Sequence, residues 1–471
     1  MTPLFKRTTL AHALSISASL LVVAPSHAVS LSQDGLGQVL IYPYYTVRGG
    51  FDTYLSVLNQ TDKAKAVKVR FRESMNGRNV LDFNLYLGAK DVWTAAITAT
   101  PTGAKLITAD KSCTSPAIPA GGKDFANFAF SGADAVPGFV QSGADRQTES
   151  LDRTREGYFE IIEMGTITST AVAMAVTHLA DVPANCAMVQ APSINMASDA
   201  RANAVAPPSG GLAGTATLIN VPAGTDYSYD PVVLSAFSNL NIWQPPGTGL
   251  PDLSSASPKT SVLIKDEAVI RSEWATGEDA VSALIMHFTL LNEFVLEPTT
   301  LSGTDWVVTM PTKHFYVPVW GDATLSIAPF VTEFGAGAWC EPAGRFQRWS
   351  REGKGLSFDS MFPTPPPVDT LSLCWESSVV TFNHSNVLAS PHSENFSVNV
   401  DNGWTHLNFD WYARQMYSLN GDTYVGLPTI GFMVQDFVNG NVNGLLSNYG
   451  GSFRHKYASR INGKASLSLS Y

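Results

Sequence analysis

Two runs decide the fold class: Ala66-Val67-Lys68-Val69-Arg70-Phe71-Arg72 and Val80-Leu81-Asp82-Phe83-Asn84-Leu85-Tyr86-Leu87. In the first, Val67, Val69 and Phe71 fall on one face and Lys68, Arg70 and Arg72 on the other. In the second, Leu81, Phe83, Leu85 and Leu87 share a face. Alternation of period two marks a strand with one buried side. Asn76-Gly77 between them looks like a two-residue type I′ loop, but that loop sets Phe71 opposite Asp82 and puts the apolar residues on opposite faces. A three-residue loop, Met75-Asn76-Gly77 with Gly77 left-handed, pairs Phe71 with Leu81, Val69 with Phe83 and Arg70 with Asp82, and is the register expected. One face buried and one wet and cationic describes an antiparallel sheet of a sandwich or barrel, not a parallel α/β fold.

Outward from there, Phe51 to Asn59 reads as a strand, with Gln60 to Lys65 as a polar turn. Gly157 to Val176 has mixed periodicity, open to a strand pair or to a short helix near its end. Ala206-Pro207-Pro208-Ser209-Gly210-Gly211 reads as a linker, followed by Thr215 to Val221 as a short strand. Thr276 with an acid three positions on, then Val281, Leu284 and Ile285 at helical spacing, predicts a helix over Gly277 to Met286. Trp306 to Met310 and His314 to Val319 read as strands flanking Pro311, and Pro363 to Pro367 as an exposed extended loop. With 37 glycines, 28 prolines and 49 aromatics the composition is that of an exported β protein. The expected fold is mainly β: two antiparallel β-sandwich domains, Ig-like or jelly-roll-like, with few short helices. About 440 residues exceed one core, so the division expected is 29–205, a linker at 206–214, and 215–471.

Residues 1–28 read as an export signal: Lys6 and Arg7, an apolar run from Leu10 to Val23, and Ser26-His27-Ala28 with small residues at minus three and minus one. A membrane anchor fits less well, because His12 and several serines interrupt a run shorter than the ~20 residues a spanning helix needs. No cysteine sits at the cleavage point, which argues against a lipid-anchored lipoprotein. Removing Lys6 and Arg7 takes the formal charge from −10 to −12, which argues against nucleic acid and anionic membranes as partners. An oxidising compartment makes disulfides of the four cysteines, Cys113, Cys186, Cys340 and Cys374. Of three connectivities, Cys113 with Cys186 and Cys340 with Cys374 keeps each bridge within one expected domain and closes the Pro363 to Pro367 loop. Trp339 and Trp375 are then expected to pack on the second bridge.

No nucleophile elbow, zinc-protease helix, phosphate loop or EF-hand occurs. His384, His392 and His406 have no ligand spacing and read as ordinary histidines. A glycoside hydrolase needs two facing carboxylates; Glu156, Glu160, Glu163, Glu273, Glu293 and Glu297 are candidates, with solvated polar faces the expected role for most. Tyr42, Tyr44, Tyr45, Phe51 and Tyr54 are either core-edge residues, the weightier reading, or rings that stack on sugars. The C-terminal alternation Ala465 to Tyr471 resembles the last strand of an outer-membrane barrel, but the prolines and irregular spacing oppose that fold.

The segments Gly37 to Tyr45, Val69 to Glu73, Val80 to Gly88 with Asp91 to Ala95, Thr304 to Lys313, and Asn448-Tyr449-Gly450-Gly451 resemble a family of uncharacterised exported proteins of Gram-negative bacteria labelled as cell-surface proteins. The resemblance implies an exported, β-rich protein; it carries no reaction, ligand or site residue. The expectation is an exported structural or binding, adhesion-type protein of the cell surface or periplasm, without cofactor, metal site or catalytic residues. A secreted polysaccharide hydrolase and an outer-membrane barrel are the alternatives. Partners remain open among other surface proteins, a second copy and polysaccharide.

Overall fold

The computed structural model describes residues 27–131, 148–190, 201–265, 268–317, 328–332, 334, 340–343, 346–355, 371–409 and 414–468. Most of the expected export signal, Trp339, Pro363 to Pro367 and Ser470-Tyr471 lie outside the described residues.

The chain is mainly β and antiparallel. Its first strands are β1 (Val29–Leu31), β2 (Val39–Thr46), β3 (Asp52–Asn59), β4 (Lys65–Glu73), β5 (Asn79–Leu87), β6 (Val92–Ala99), β7 (Ala104–Ile107), β8 (Cys113–Ser115), β9 (Lys123–Asp124) and β10 (Glu156–Ile167). One sheet runs Ala268–Glu273, Thr260–Lys265, β1, Val232–Ser235, β2, β10, β4, β5, β8. A second runs Thr225–Tyr229, Ala216–Asn220, β3, β6, β7, β9. They enclose a core that includes Phe71, Phe83, Leu85, Trp93, Phe159 and Leu218. Two more sheets follow: Ser393–Phe396, Ser377–Phe382, Gly303–Thr309, Ile430–Val442, Leu445–Arg454, and Phe346–Ser350, Asn402–Asn408, Thr289–Val295, Lys456–Ile461, Thr423–Val425, Gln415–Tyr417. Between them lie Phe294, Trp306, Phe382 and Leu407. Each of these sheets is an open path with two edges, so the strands form packed layers and no closed barrel among the described residues. No helix among these residues is long and apolar enough to cross a membrane.

The β4–β5 register is the expected one: Val67 pairs with Leu85, Val69 with Phe83, Phe71 with Leu81 and Arg70 with Asp82. Gly77 is left-handed, at φ 68°. A register shift after Phe71 pairs Arg72 with Asn79, so the loop is one residue longer than expected. The wet face is a correction. Lys68, Arg70 and Arg72 point away from the core yet are buried, because segment 241–252 crosses over them. Lys68 Nζ donates to the Pro245 carbonyl at 3.2 Å, Arg70 Nη1 to that of Pro251 at 3.1 Å, and Asn84 Nδ2 to that of Gln244 at 2.8 Å. A strap holding Pro245, Pro246 and Pro251 lacks those N–H groups and offers acceptors, which suits a cationic face.

Gly157 to Val176 resolves into the long β10 and a helix, Thr170–Val176. The helix Gly277–Leu284 forms as expected, the Thr276 side chain accepting from Asp279 N–H. His314 does not start a strand: Lys313–Tyr316 is one helical turn. The segment read as a linker passes between Val205–Ala206, paired with β10, and Leu212–Ala213, paired with β3. The strands of 216–273 extend the same two sheets as residues 29–167. Both expected disulfides are present, Cys113–Cys186 and Cys340–Cys374, and Met75 and Trp375 pack with the second.

Candidate functional site

The polar side chains expected on a wet face gather instead in a buried seam between the first pair of sheets and the rest. Along β10, Glu160 Oε1 accepts from Arg70 Nη1 at 3.3 Å and Arg72 Nε at 3.1 Å. At the ends of the apolar row, Glu163 holds Lys65 Nζ at 2.8 Å and Glu73 holds Arg153 Nε at 2.7 Å. The turn after β4 carries the seam across: Met75 O accepts from Glu376 N–H and Ser74 O from Ser377 N–H, both at 2.9 Å. Glu376 Oε1 then accepts from Tyr158 OH and lies against His314 Nδ1, each at 2.6 Å. Beyond it Arg414 Nη2 sits 2.9 Å from Glu341 Oε1, with Lys313 Nζ 3.8 Å from Oε2. Burial pushes the Lys313 ammonium down against the pull of Glu341, and burial followed by the Glu376 charge pushes the Tyr158 phenol well up.

Among the described residues, Ser74, His392 and Glu156 form a set that resembles a nucleophilic triad. Ser74 Oγ lies 2.9 Å from His392 Nδ1, and Glu156 Oε1 lies 3.0 Å from the same nitrogen. A relay needs the acid on one ring nitrogen and the nucleophile on the other. Here both converge on Nδ1, and Ser74 is fully buried. Burial alone would raise the Glu156 carboxyl, but His392, Ser390 and Arg48 outweigh it and hold the group below its usual value. The set is a polar knot joining layers.

An open polar cleft of about 370 Å³ lies elsewhere, lined by Ser302, Gly303, residues 382–387, Asp401 and Asp436 among others. Burial raises the Asp436 carboxyl, whose Oδ1 accepts from Gly303 N–H at 2.6 Å. Burial also raises Asp305, to about 6, but Asp305 does not line the cleft; Ser385 Oγ and Leu388 N–H hold it at 2.6 and 2.9 Å. Asp305 and Asp436 therefore do not face each other across this cleft, as a glycosidase pair must.

The other expected residues scatter. His384 lines the cleft and its N–H donates to Asn395 Oδ1, His392 belongs to the knot, and His406 lies beside Gln347 on another sheet. Glu273 and Glu293 are exposed, whereas Glu156, Glu160 and Glu163 are buried, a correction to the solvated role. Among the described residues the metal-ligand types gather in threes only at Cys340, Cys374 and Glu394; there the sulfurs are already bonded to each other. Tyr42, Tyr44, Tyr45 and Phe51 are core, and only Tyr54 of that group is exposed. Tyr158, His314, Glu376 and Asp305 went unnoticed in sequence, since no spacing links them. No family model, curated protein or solved structure matches the chain.

Proposed function

We propose that the chain is an exported structural or binding protein of the cell surface or periplasm, of the kind its segments resemble. The observation that carries this reading is where its buried acids are used. Glu73, Glu156, Glu160, Glu163, Glu341 and Glu376 are each held by a cation, a histidine or a hydroxyl inside the fold, so these six acids secure layers. Two disulfides support an oxidising destination. Other surface proteins, a second copy and polysaccharide are the partner classes that suit such a protein.

Cell fractionation with protease added to intact cells tests it. The expected result is a mature chain starting near Val29, outside the cytosol, with all four cysteines oxidised. Digestion on intact cells means the surface, and protection means the periplasm. A cytosolic chain with free thiols overturns the reading. The hydrolase alternative gains if Asp436→Asn abolishes release of reducing sugar from any polysaccharide.

A further inference from the structure

The outer face of the sheet containing Phe346–Ser350, Asn402–Asn408 and Thr289–Val295 carries an aromatic cluster. Pairing across the three strands sets Trp349, Trp404 and Glu293 in one row and Gln347, His406 and Leu291 in the next. The indoles of Trp349 and Trp404 stack at 3.9 Å between centroids and 11° between planes. His406 stands edge-on to both, at 81° and 85°. Trp404 is 36% exposed. One of its faces is covered by Trp349, so the other is turned along the row toward Glu293. A pair serving only to seal the edge strand Phe346–Ser350 has no need to leave a large indole face in water, which costs roughly 25 cal/mol per Å².

The surroundings have hydrogen-bonding groups on both sides of that face. His406 Nε2 lies 2.9 Å from Gln347 Oε1. The amide oxygen accepts only, so Nε2 is the donor; His406 Nδ1 is left as an acceptor and the Gln347 amide N–H groups as donors. Burial holds the His406 ring below its ordinary value, which keeps it neutral near pH 7. The Glu293 carboxylate is exposed. A flat negative indole face beside donors, acceptors and a carboxylate matches a pyranose ring, whose C–H face is slightly positive and whose rim carries hydroxyls.

Charge selects among sugars. This end of the sheet carries Glu293, Glu297, Glu352 and Asp401 against Arg351, Lys354 and Lys456, the last paired across from Leu291, and Arg351 is drawn upward by Glu352 first, with Glu297 and Asp401 adding. The surplus of one negative charge, with Glu293 itself in the tryptophan row, disfavours uronate or sulfated chains.

We propose that Trp404, backed by Trp349 and faced by Glu293, binds the hexopyranose rings of an uncharged polysaccharide. This deepens the binding reading above and rests on it. Affinity electrophoresis of the purified, oxidised full chain tests the site, with hydroxyethylcellulose, dextran or glycogen in the gel and alginate as the anionic control. At least one neutral polymer should retard the protein and alginate should not. Trp404→Ala and Glu293→Ala should each weaken retardation about tenfold, equivalent to ~1.4 kcal/mol. Glu293→Ala guards against misfolding, because that side chain is exposed and its melting temperature should match wild type. The site is overturned if none of the neutral polymers retards the wild type, if both variants are retarded like wild type, or if alginate retards all three equally. Because the protein is purified, a surface location without retardation sinks the site alone, and retardation of a chain found in the cytosol sinks the export reading alone.

Discussion

Glu160→Gln should destabilise the protein by about 3–5 kcal/mol, the cost of removing one partner from a buried ion set. Glu160 is 1% exposed, and the two guanidinia it serves, Arg70 and Arg72, are 1% and 7% exposed. Without the anion Arg70 keeps the Pro251 carbonyl and Arg72 the Gly77 carbonyl, so two cations stay out of water held by single carbonyl dipoles, with only the weaker pull of Asp252 and Glu376 left on Arg72. Coulomb's law gives the same scale: a unit pair at ~4 Å and an effective dielectric of ~20 is worth about 4 kcal/mol. The same reasoning gives a second number. Arg70→Met, Arg72→Met and Glu160→Leu together remove the desolvation cost along with the attraction, so the triple variant should lose much less than the single one. Urea unfolding under non-reducing conditions, followed by tryptophan fluorescence and far-UV circular dichroism together, measures both and shows whether the layers unfold as one. A Glu160→Gln protein within about 1 kcal/mol of wild type, or a triple variant weaker than the single, refutes the account of the seam.

Phe71→Ala should cost about 3–5 kcal/mol by the same assay, since the ring meets Phe159 at 5.1 Å, Phe125 at 5.2 Å and the edge of Tyr45 at 5.9 Å; a loss below about 1 kcal/mol refutes its place in the core. Acidification should destabilise the protein between pH 6.5 and 4. Burial and then the His455 charge lower His287 to about 3, and burial lowers His455 to about 4 with Lys456 adding. Unfolded imidazoles take protons at ~6.5 that the folded ones refuse, so the unfolded state binds more protons in that window and gains as pH falls. Asp305 opposes them: raised to about 6 by burial, it contributes stability that is full below the unfolded value of ~3.8 and lost as pH rises past 6. Asp436, Glu278 and Glu394, also raised by burial, oppose in the same sense, whereas Glu156 and His406, both held low, act with the two histidines. The large histidine shifts leave a net loss on acidification, read as a falling melting temperature; His455→Gln should flatten the curve, and an unchanged slope refutes the assignment.

The β4–β5 register was legible because alternation is local: it requires Phe71, Val69 and Val67 to face Leu81, Phe83 and Leu85, and that pairing is kept although a shift after Phe71 lengthens the loop by one residue. The disulfides were legible because four cysteines offer few pairings. The lone strand read at His314 shows the limit of that method. Its β-branched and aromatic residues suit a strand, but Lys313 is drawn into the seam beside Glu341 and the chain takes a helical turn to place it there.

The misread face of β4 shows why the site was less legible than the fold. A strand whose outer row is Lys68, Arg70 and Arg72 has the same pattern whether water or backbone carbonyls satisfy those cations. The difference lies in a strap 177 and 181 residues away in sequence, at Pro245 and Pro251, and its proline content reads only as a loop until it is seen lying on the sheet. Trp349 and Trp404 are hidden for the same reason. They become neighbours through the pairing of Phe346–Ser350 with Asn402–Asn408, and each alone is an ordinary strand tryptophan. Burial of polar groups and clustering of exposed aromatics are both consequences of long-range strand order. In an antiparallel fold of this length, local pattern therefore reveals which residues alternate, while the order of strands decides which polar rows are sealed and which aromatic rows stay open to a ligand.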